Sequence, residues 1–143
     1  MDVALHRGRC LCGAVRYQVV GRLRDVLFCH CANCRRVHGH VSAYASAKRE
    51  ELVLLEDHAL TWYRSESDET PGVHRGFCRV CGSSLFWDPR GQDHVYVSAG
   101  TLDPPTGLHG AGHVWTSQAG DYYDICDDLP QADGSSGGRF LVR

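Results

Sequence analysis

Apolar positions in this chain come in short bursts. Cys12 to Val20 reads Cys-Gly-Ala-Val-Arg-Tyr-Gln-Val-Val, whose β-branched and aromatic residues suit a strand following a glycine-assisted bend. Asp25 to Cys31, Val41 to Ala47, Leu52 to Leu55, Leu60 to Arg64, Val73 to Cys78, Ser84 to Trp87, His94 to Ala99 and His113 to Ser117 behave alike, separated by Gly, Pro, Asp or Ser. The pattern predicts a mostly β chain. Helix is expected only for a turn or two after Cys34 and around Lys48 to Glu51, both too short to stand without tertiary support. After Ala132 the run Asp-Gly-Ser-Ser-Gly-Gly has the composition of a linker. Residues 132–143 are therefore expected to form a flexible tail behind a single domain spanning 1–131.

Length and charge narrow the classes. A chain of 143 residues fits one domain, and a domain of that size buries roughly 70% of its unfolded surface. No apolar run approaches the ~18 residues of a membrane span, and charge enters at the second residue. The expectation is a cytoplasmic protein with no membrane partner. The formal charge of −2 also argues against nucleic acid, because a domain that neutralises several phosphates carries a basic excess.

Cysteine changes the picture most. Seven of the eight cysteines fall into three clusters: Cys10 and Cys12, then Cys29, Cys31 and Cys34, then Cys78 and Cys81. In a reducing compartment such clusters mean metal or catalysis rather than disulfides, and closely spaced thiolates can grip a soft cation such as zinc. Residues i and i+2 of an extended segment project to one face, so Cys10 and Cys12 aim at a common point. Cys78-Arg79-Val80-Cys81-Gly82 is the zinc-knuckle pattern, whose turn supplies backbone donors to the sulfurs. These four predict a closed, structural zinc site that clips together segments more than sixty residues apart. The competing reading makes Cys10 and Cys12 ordinary small core residues.

Cys29-His30-Cys31-Ala32-Asn33-Cys34 offers three sulfurs and leaves one tetrahedral corner free. Three protein ligands with a vacant fourth position is the arrangement of catalytic zinc, and a thiol is the natural visitor to a sulfur-rich site. Two other readings stay open. His30, His38 or His40 could close the site as a fourth ligand, His30 least readily because on a strand it faces away from its neighbours, or the trio could be a metal-free thiol cluster. His38 and His40 are also candidates for proton transfer near neutral pH. Trp115, Tyr122 and Tyr123 are candidates for either a pocket wall or core filling. Cys126 reads as a buried small residue, and Asp127 and Asp128, ahead of Leu-Pro, as a turn.

The motifs together resemble a known family. Gly8-Arg9-Cys10-Leu11-Cys12-Gly13-Ala14-Val15-Arg16-Tyr17, Cys29 through Gly39, Phe77-Cys78-Arg79-Val80-Cys81-Gly82-Ser83 and Ser98-Ala99-Gly100-Thr101-Leu102-Asp103 are similar to the glutathione-dependent formaldehyde-activating enzymes, a family that includes centromere protein V. His113-Val114-Trp115 and Asp127-Asp128-Leu129-Pro130-Gln131 extend the resemblance to residues 8–131. It implies an Mss4-like zinc-binding β-sheet fold. It further implies a structural zinc on Cys10, Cys12, Cys78 and Cys81 and a catalytic zinc on Cys29, Cys31 and Cys34. The implied activity is that of a carbon–sulfur lyase joining glutathione to formaldehyde as S-hydroxymethylglutathione, a non-catalytic thiol- or partner-binding domain being the rival. Arg35 and Arg36 directly follow the trio and are candidate anchors for glutathione's carboxylates, or else partners in ordinary surface ion pairs.

Overall fold

In the computed structural model the described residues are 3–67 and 70–136. The chain is mostly β, with ten strands, one short α-helix and single 3-10 turns among the described residues. Leu5–Arg9 (β1), Arg16–Val20 (β2) and Leu52–Glu56 (β5) form a small antiparallel sheet in the order β1-β2-β5. Arg24–Cys29 (β3), Ser42–Lys48 (β4), Leu60–Ser65 (β6), Val73–Cys78 (β7), Ser84–Asp88 (β8), His94–Ser98 (β9) and Gly110–Val114 (β10) build the larger sheet, ordered β10-β3-β4-β9-β8-β7-β6. Its pairs are antiparallel except β10 with β3, which run parallel.

The core lies between the sheets. Val15, Tyr17 and Val19 from the β2 region meet Ala45 and Ala47 of β4, Leu85 and Phe86 of β8, and Val95 and Val97 of β9. Alternation along β2 explains why: Tyr17 and Val19 point inward while Arg16 and Val20 face solvent. Small alanines on β4 let the facing sheet approach, and the Tyr17 ring meets Phe86 edge-on at 5.1 Å. The Tyr17 hydroxyl is not stranded, because it bonds Thr101 Oγ1 at 2.7 Å.

Eight of the nine expected strands appear close to where the apolar bursts lie, and three details differ. β1 lay outside every expected strand: its Leu-His-Arg-Gly-Arg is mostly exposed and carries no apolar alternation, yet its pairing with β2 supplies the backbone bonds. The ninth strand runs Gly110–Val114 rather than His113 to Ser117, because Trp115 adopts a left-handed backbone (φ 55°) that ends it. The expected tail begins too early. Ala132 N donates to His113 O at 2.9 Å, Trp115 N to Gly134 O at 2.9 Å and Ser117 Oγ to Asp133 O at 2.8 Å, and Ala132 is buried. The remainder, 137–143, lies outside the described residues.

Helix Ala32–His38 (α1) follows β3 after two residues, and it starts before Cys34 rather than after it. Cys31 caps it, its Sγ accepting from Cys34 N at 3.3 Å, and Gly39 ends it in the left-handed region that favours glycine (φ 77°), donating to Arg35 O. Asn33 locks the helix to the chain after β6: Nδ2 donates to Ser67 O at 2.9 Å and Oδ1 accepts from Ser67 Oγ at 3.2 Å. No helix among the described residues is long and apolar enough to cross a membrane.

Candidate metal centres

Two cysteine groups assemble as the spacing predicts. Sγ atoms of Cys10, Cys12, Cys78 and Cys81 all lie within 4.8 Å of one another, and so do those of Cys29, Cys31 and Cys34. Each group could hold a metal ion.

The four-cysteine group joins the turn after β1 to the turn after β7. Cys10–Cys12 and Cys12–Cys78 sulfurs are 3.6 and 3.8 Å apart. Those separations are too long for disulfides, and they match the roughly 3.8 Å between corners of a tetrahedron with metal–sulfur bonds near 2.3 Å. Backbone N–H groups point at two of the sulfurs, with Val15 N at 3.2 Å from Cys10 Sγ and Cys81 N at 3.5 Å from Cys78 Sγ. Ser83 bonds Cys81 through its hydroxyl (3.2 Å) and its backbone, and together these hold Cys81 down to about 5. Gly82, in the left-handed region that favours glycine (φ 79°), closes the knuckle turn, its N donating to Cys78 O at 2.8 Å. Cys10 and Cys78 are fully buried. The reading of Cys10 and Cys12 as unrelated core residues does not survive this convergence.

The three-cysteine group is different in its surroundings. It forms part of the wall of a cavity of about 650 Å³, together with Arg24, Tyr44, Trp87, Tyr96 and Trp115. Within the trio, hydrogen bonds from Cys29 and Cys31 push Cys34 well below the ordinary thiol range, with Ser42 and the Arg75 guanidinium adding to the effect. Cys29 is pushed up in turn by Cys31 and Cys34. The trio thus concentrates its negative charge on Cys34, whose Sγ lies 3.8 Å from Arg75 Nη2.

None of the three candidate histidines closes this site. His30 is buried (1% exposed) and faces away from the sulfurs: its Nδ1 meets Tyr123 Oη at 2.7 Å and its Nε2 meets His113 Nδ1 at 2.8 Å. His113 Nε2 in turn lies 3.0 Å from the Asp127 carboxylate. One proton arrangement satisfies every link, with Tyr123 donating to His30, His30 to His113 and His113 to Asp127. His38 Nε2 meets the Tyr44 hydroxyl at 2.7 Å, and His40 Nδ1 meets the Tyr122 hydroxyl at 2.8 Å. Burial holds His30 and His38 below the usual imidazole range. Among the described residues no fourth His, Cys, Asp or Glu joins the trio.

Other expectations sort as follows. Arg35 and Arg36 are not among the residues lining the cavity; Arg35 Nε donates to Gln118 O at 3.2 Å, and Arg36 is exposed. Trp115 does wall the cavity, whereas Tyr122 and Tyr123 hold His40 and His30. Cys126, expected to be buried, is exposed and belongs to neither group. Asp127 makes the expected turn, accepting from Leu129 N at 3.0 Å, and serves His113 as well. Sequence reading missed Arg24 and Arg75, and missed His113 as a partner of His30. Arg75 did leave a signal, a charged residue at an inward position of a strand that ends in a zinc-knuckle cysteine.

Comparison with known proteins gives a consistent answer. The model of the family described as glutathione-dependent formaldehyde-activating enzyme matches residues 5–118. A Halomonas elongata protein, provisionally named a glutathione-dependent formaldehyde-activating enzyme, is 34% identical in an alignment of 117 positions that covers 73% of each chain. A crystal structure of a Rhodobacter sphaeroides protein is similar with a TM-score of 0.55 and 29% identity, over 68% of this chain and 88% of that one.

Proposed function

This chain belongs to the glutathione-dependent formaldehyde-activating enzyme family, and from that premise we propose that it joins the sulfur of glutathione, or of a similar thiol, to formaldehyde or another small aldehyde. The reaction is that of a zinc-dependent carbon–sulfur lyase run toward addition. A bond forms between the thiol sulfur and the carbonyl carbon, the carbonyl π pair moves to oxygen, and the proton lost by the thiol balances the one gained by the new hydroxyl. The observation that carries this reading is a cavity of about 650 Å³ walled in part by three convergent cysteines that no fourth protein ligand completes among the described residues.

Each group has a role in that scheme. Cys29, Cys31 and Cys34 would hold a catalytic zinc, whose Lewis acidity favours the ionised form of a visiting thiol near neutral pH. Cys10, Cys12, Cys78 and Cys81 would hold a structural zinc. Arg75, 3.8 Å from Cys34 Sγ, adds to the hydrogen bonds from Cys29 and Cys31 that favour the ionised form of Cys34. The Tyr44 hydroxyl, itself a wall residue of the cavity and bonded to His38, can hold the proton that the new hydroxyl takes up. Aromatic walls from Trp87, Tyr96 and Trp115 keep bulk water away from the reacting sulfur and carbonyl.

The test is direct. Zinc per chain is measured first, with two equivalents expected. Exchange between glutathione, formaldehyde and their adduct is then followed by NMR, with and without protein, because the uncatalysed addition supplies the baseline. Acceleration that vanishes in Cys34→Ser, while one zinc and the fold remain, supports the reading. Binding of glutathione without acceleration would leave a thiol-binding domain instead.

A further inference from the structure

We propose that Arg24 is the carboxylate anchor of the cavity, selecting thiols that carry a carboxylate one peptide unit from the sulfur; the proposal rests on the thiol–aldehyde reading above. Arg24 opens β3, the strand that ends at Cys29, so anchor and metal ligand share one rigid element. Its guanidinium folds forward along that strand. Nη2 donates to Tyr44 O at 3.0 Å, Nε donates to Asp25 O at 3.1 Å, and Cζ lies 5.4 Å from the centre of the Tyr96 ring.

These contacts set a ruler. Tyr44 is the cross-strand partner of Leu27, and Leu27 is two residues from Cys29. At about 3.4 Å per residue the guanidinium therefore sits roughly 7 Å along the strand from the cysteine. In a cysteinyl-glycine unit one Cα step of about 3.8 Å, extended by the thiol arm and the carboxyl group, separates sulfur from carboxylate by roughly 6–8 Å. The backbone offset from Cys29 and the reach of that unit are of the same size.

Charge points the same way. Among the described residues Arg24 is the only basic side chain that lines the cavity, and it forms no salt bridge there; its bonds go to two carbonyls and it packs over a ring. By contrast Arg49 and Arg90 are both committed to Asp88, at 2.7 and 2.9 Å. The neighbouring Asp25 accepts through Oδ1 from His109 N at 3.1 Å. A guanidinium held against an aromatic wall and partly shielded from water binds a carboxylate more firmly than an exposed one does. The cation is held in place by its existing bonds, so little ordering cost remains when an anion arrives.

The experiment measures binding as well as turnover. Zinc-loaded wild type, Arg24→Gln and Arg24→Lys are titrated calorimetrically with glutathione, cysteinylglycine and glutathione esterified at its glycyl carboxylate. Wild type is expected to bind the two free acids about ten- to a hundredfold more tightly than the ester. Arg24→Gln should bind all three at the level of the ester, Arg24→Lys should recover part of the preference, and in turnover Arg24→Gln should raise KM while leaving kcat. Equal binding of acid and ester by wild type overturns the proposal, as does a preference that persists in Arg24→Gln or a failure to bind any of the three thiols. The wild-type comparison with the ester decides the matter even if Arg24→Gln proves unstable. Tight, acid-selective binding without accelerated adduct formation would sink the proposed reaction and still support the anchor.

Discussion

Cys10, Cys12, Cys78 and Cys81 sit in two tight turns that close over each other, whereas Cys29, Cys31 and Cys34 sit where a strand hands over to a helix beside a cavity. The first group is stabilised by neighbours that point inward at the sulfurs: Val15 N, Cys81 N and the Ser83 hydroxyl. The second has a buried cation, Arg75, against one sulfur and open space beside the others. Ligand chemistry alone does not separate a brace from a working site. Donor number and the character of the surrounding shell do.

That contrast can be broken most forcefully at the brace. Cys78→Ser should cost more than about 4 kcal/mol, a large share of the ~5–15 kcal/mol that holds a domain together, and should abolish the cooperative thermal transition. Cys34→Ser should leave the melting transition within a few degrees of wild type, remove one zinc of two and lower thiol-dependent turnover at least a hundredfold. If the two variants unfold alike, both groups are braces and the contrast fails.

A smaller effect sharpens it. In metal-free protein, Arg75→Gln removes one of the lesser influences that hold Cys34 down, so the acid pH at which Cys34 ionises, followed by thiolate ultraviolet absorbance, should rise slightly while that of Cys81 is unchanged. The smallest effect is a pH dependence. His30 and His38 titrate below their unfolded value of about 6.5 because burial disfavours the imidazolium. Below that pH the unfolded chain binds more protons than the folded one, so stability is full above about pH 6.5 and falls as pH drops toward the folded values. The urea midpoint should decrease from pH 7.5 to 5.5, and a His30→Gln, His38→Gln double variant should show a shallower decrease.

The strands with strong β-branched and aromatic content were legible in the chain because burial on one face leaves a pattern. β1 was not legible, since Arg7 and Arg9 carry no apolar signal and the strand exists through its partner β2. The seven cysteines of the two groups were legible through local spacing alone. Arg24, Arg75, His113 and Asp127 were not, because each meets its partner through a tertiary contact and no spacing rule records a contact over 14 or more residues. Arg35 stands beside the trio in sequence, and α1 turns that side chain toward Gln118 O.

Strand β7 carries both Arg75, which faces Cys34, and Cys78, a member of the other group. Three residues of one strand, about 10 Å, thus connect the two groups mechanically. The consequence is a hierarchy of maturation: the knuckle fastens the end of β7 only three residues from the guanidinium that faces the cysteine trio. Titration of the unmetallated chain with limiting zinc should therefore fill the knuckle before the cavity, whatever the intrinsic affinities of the isolated peptides.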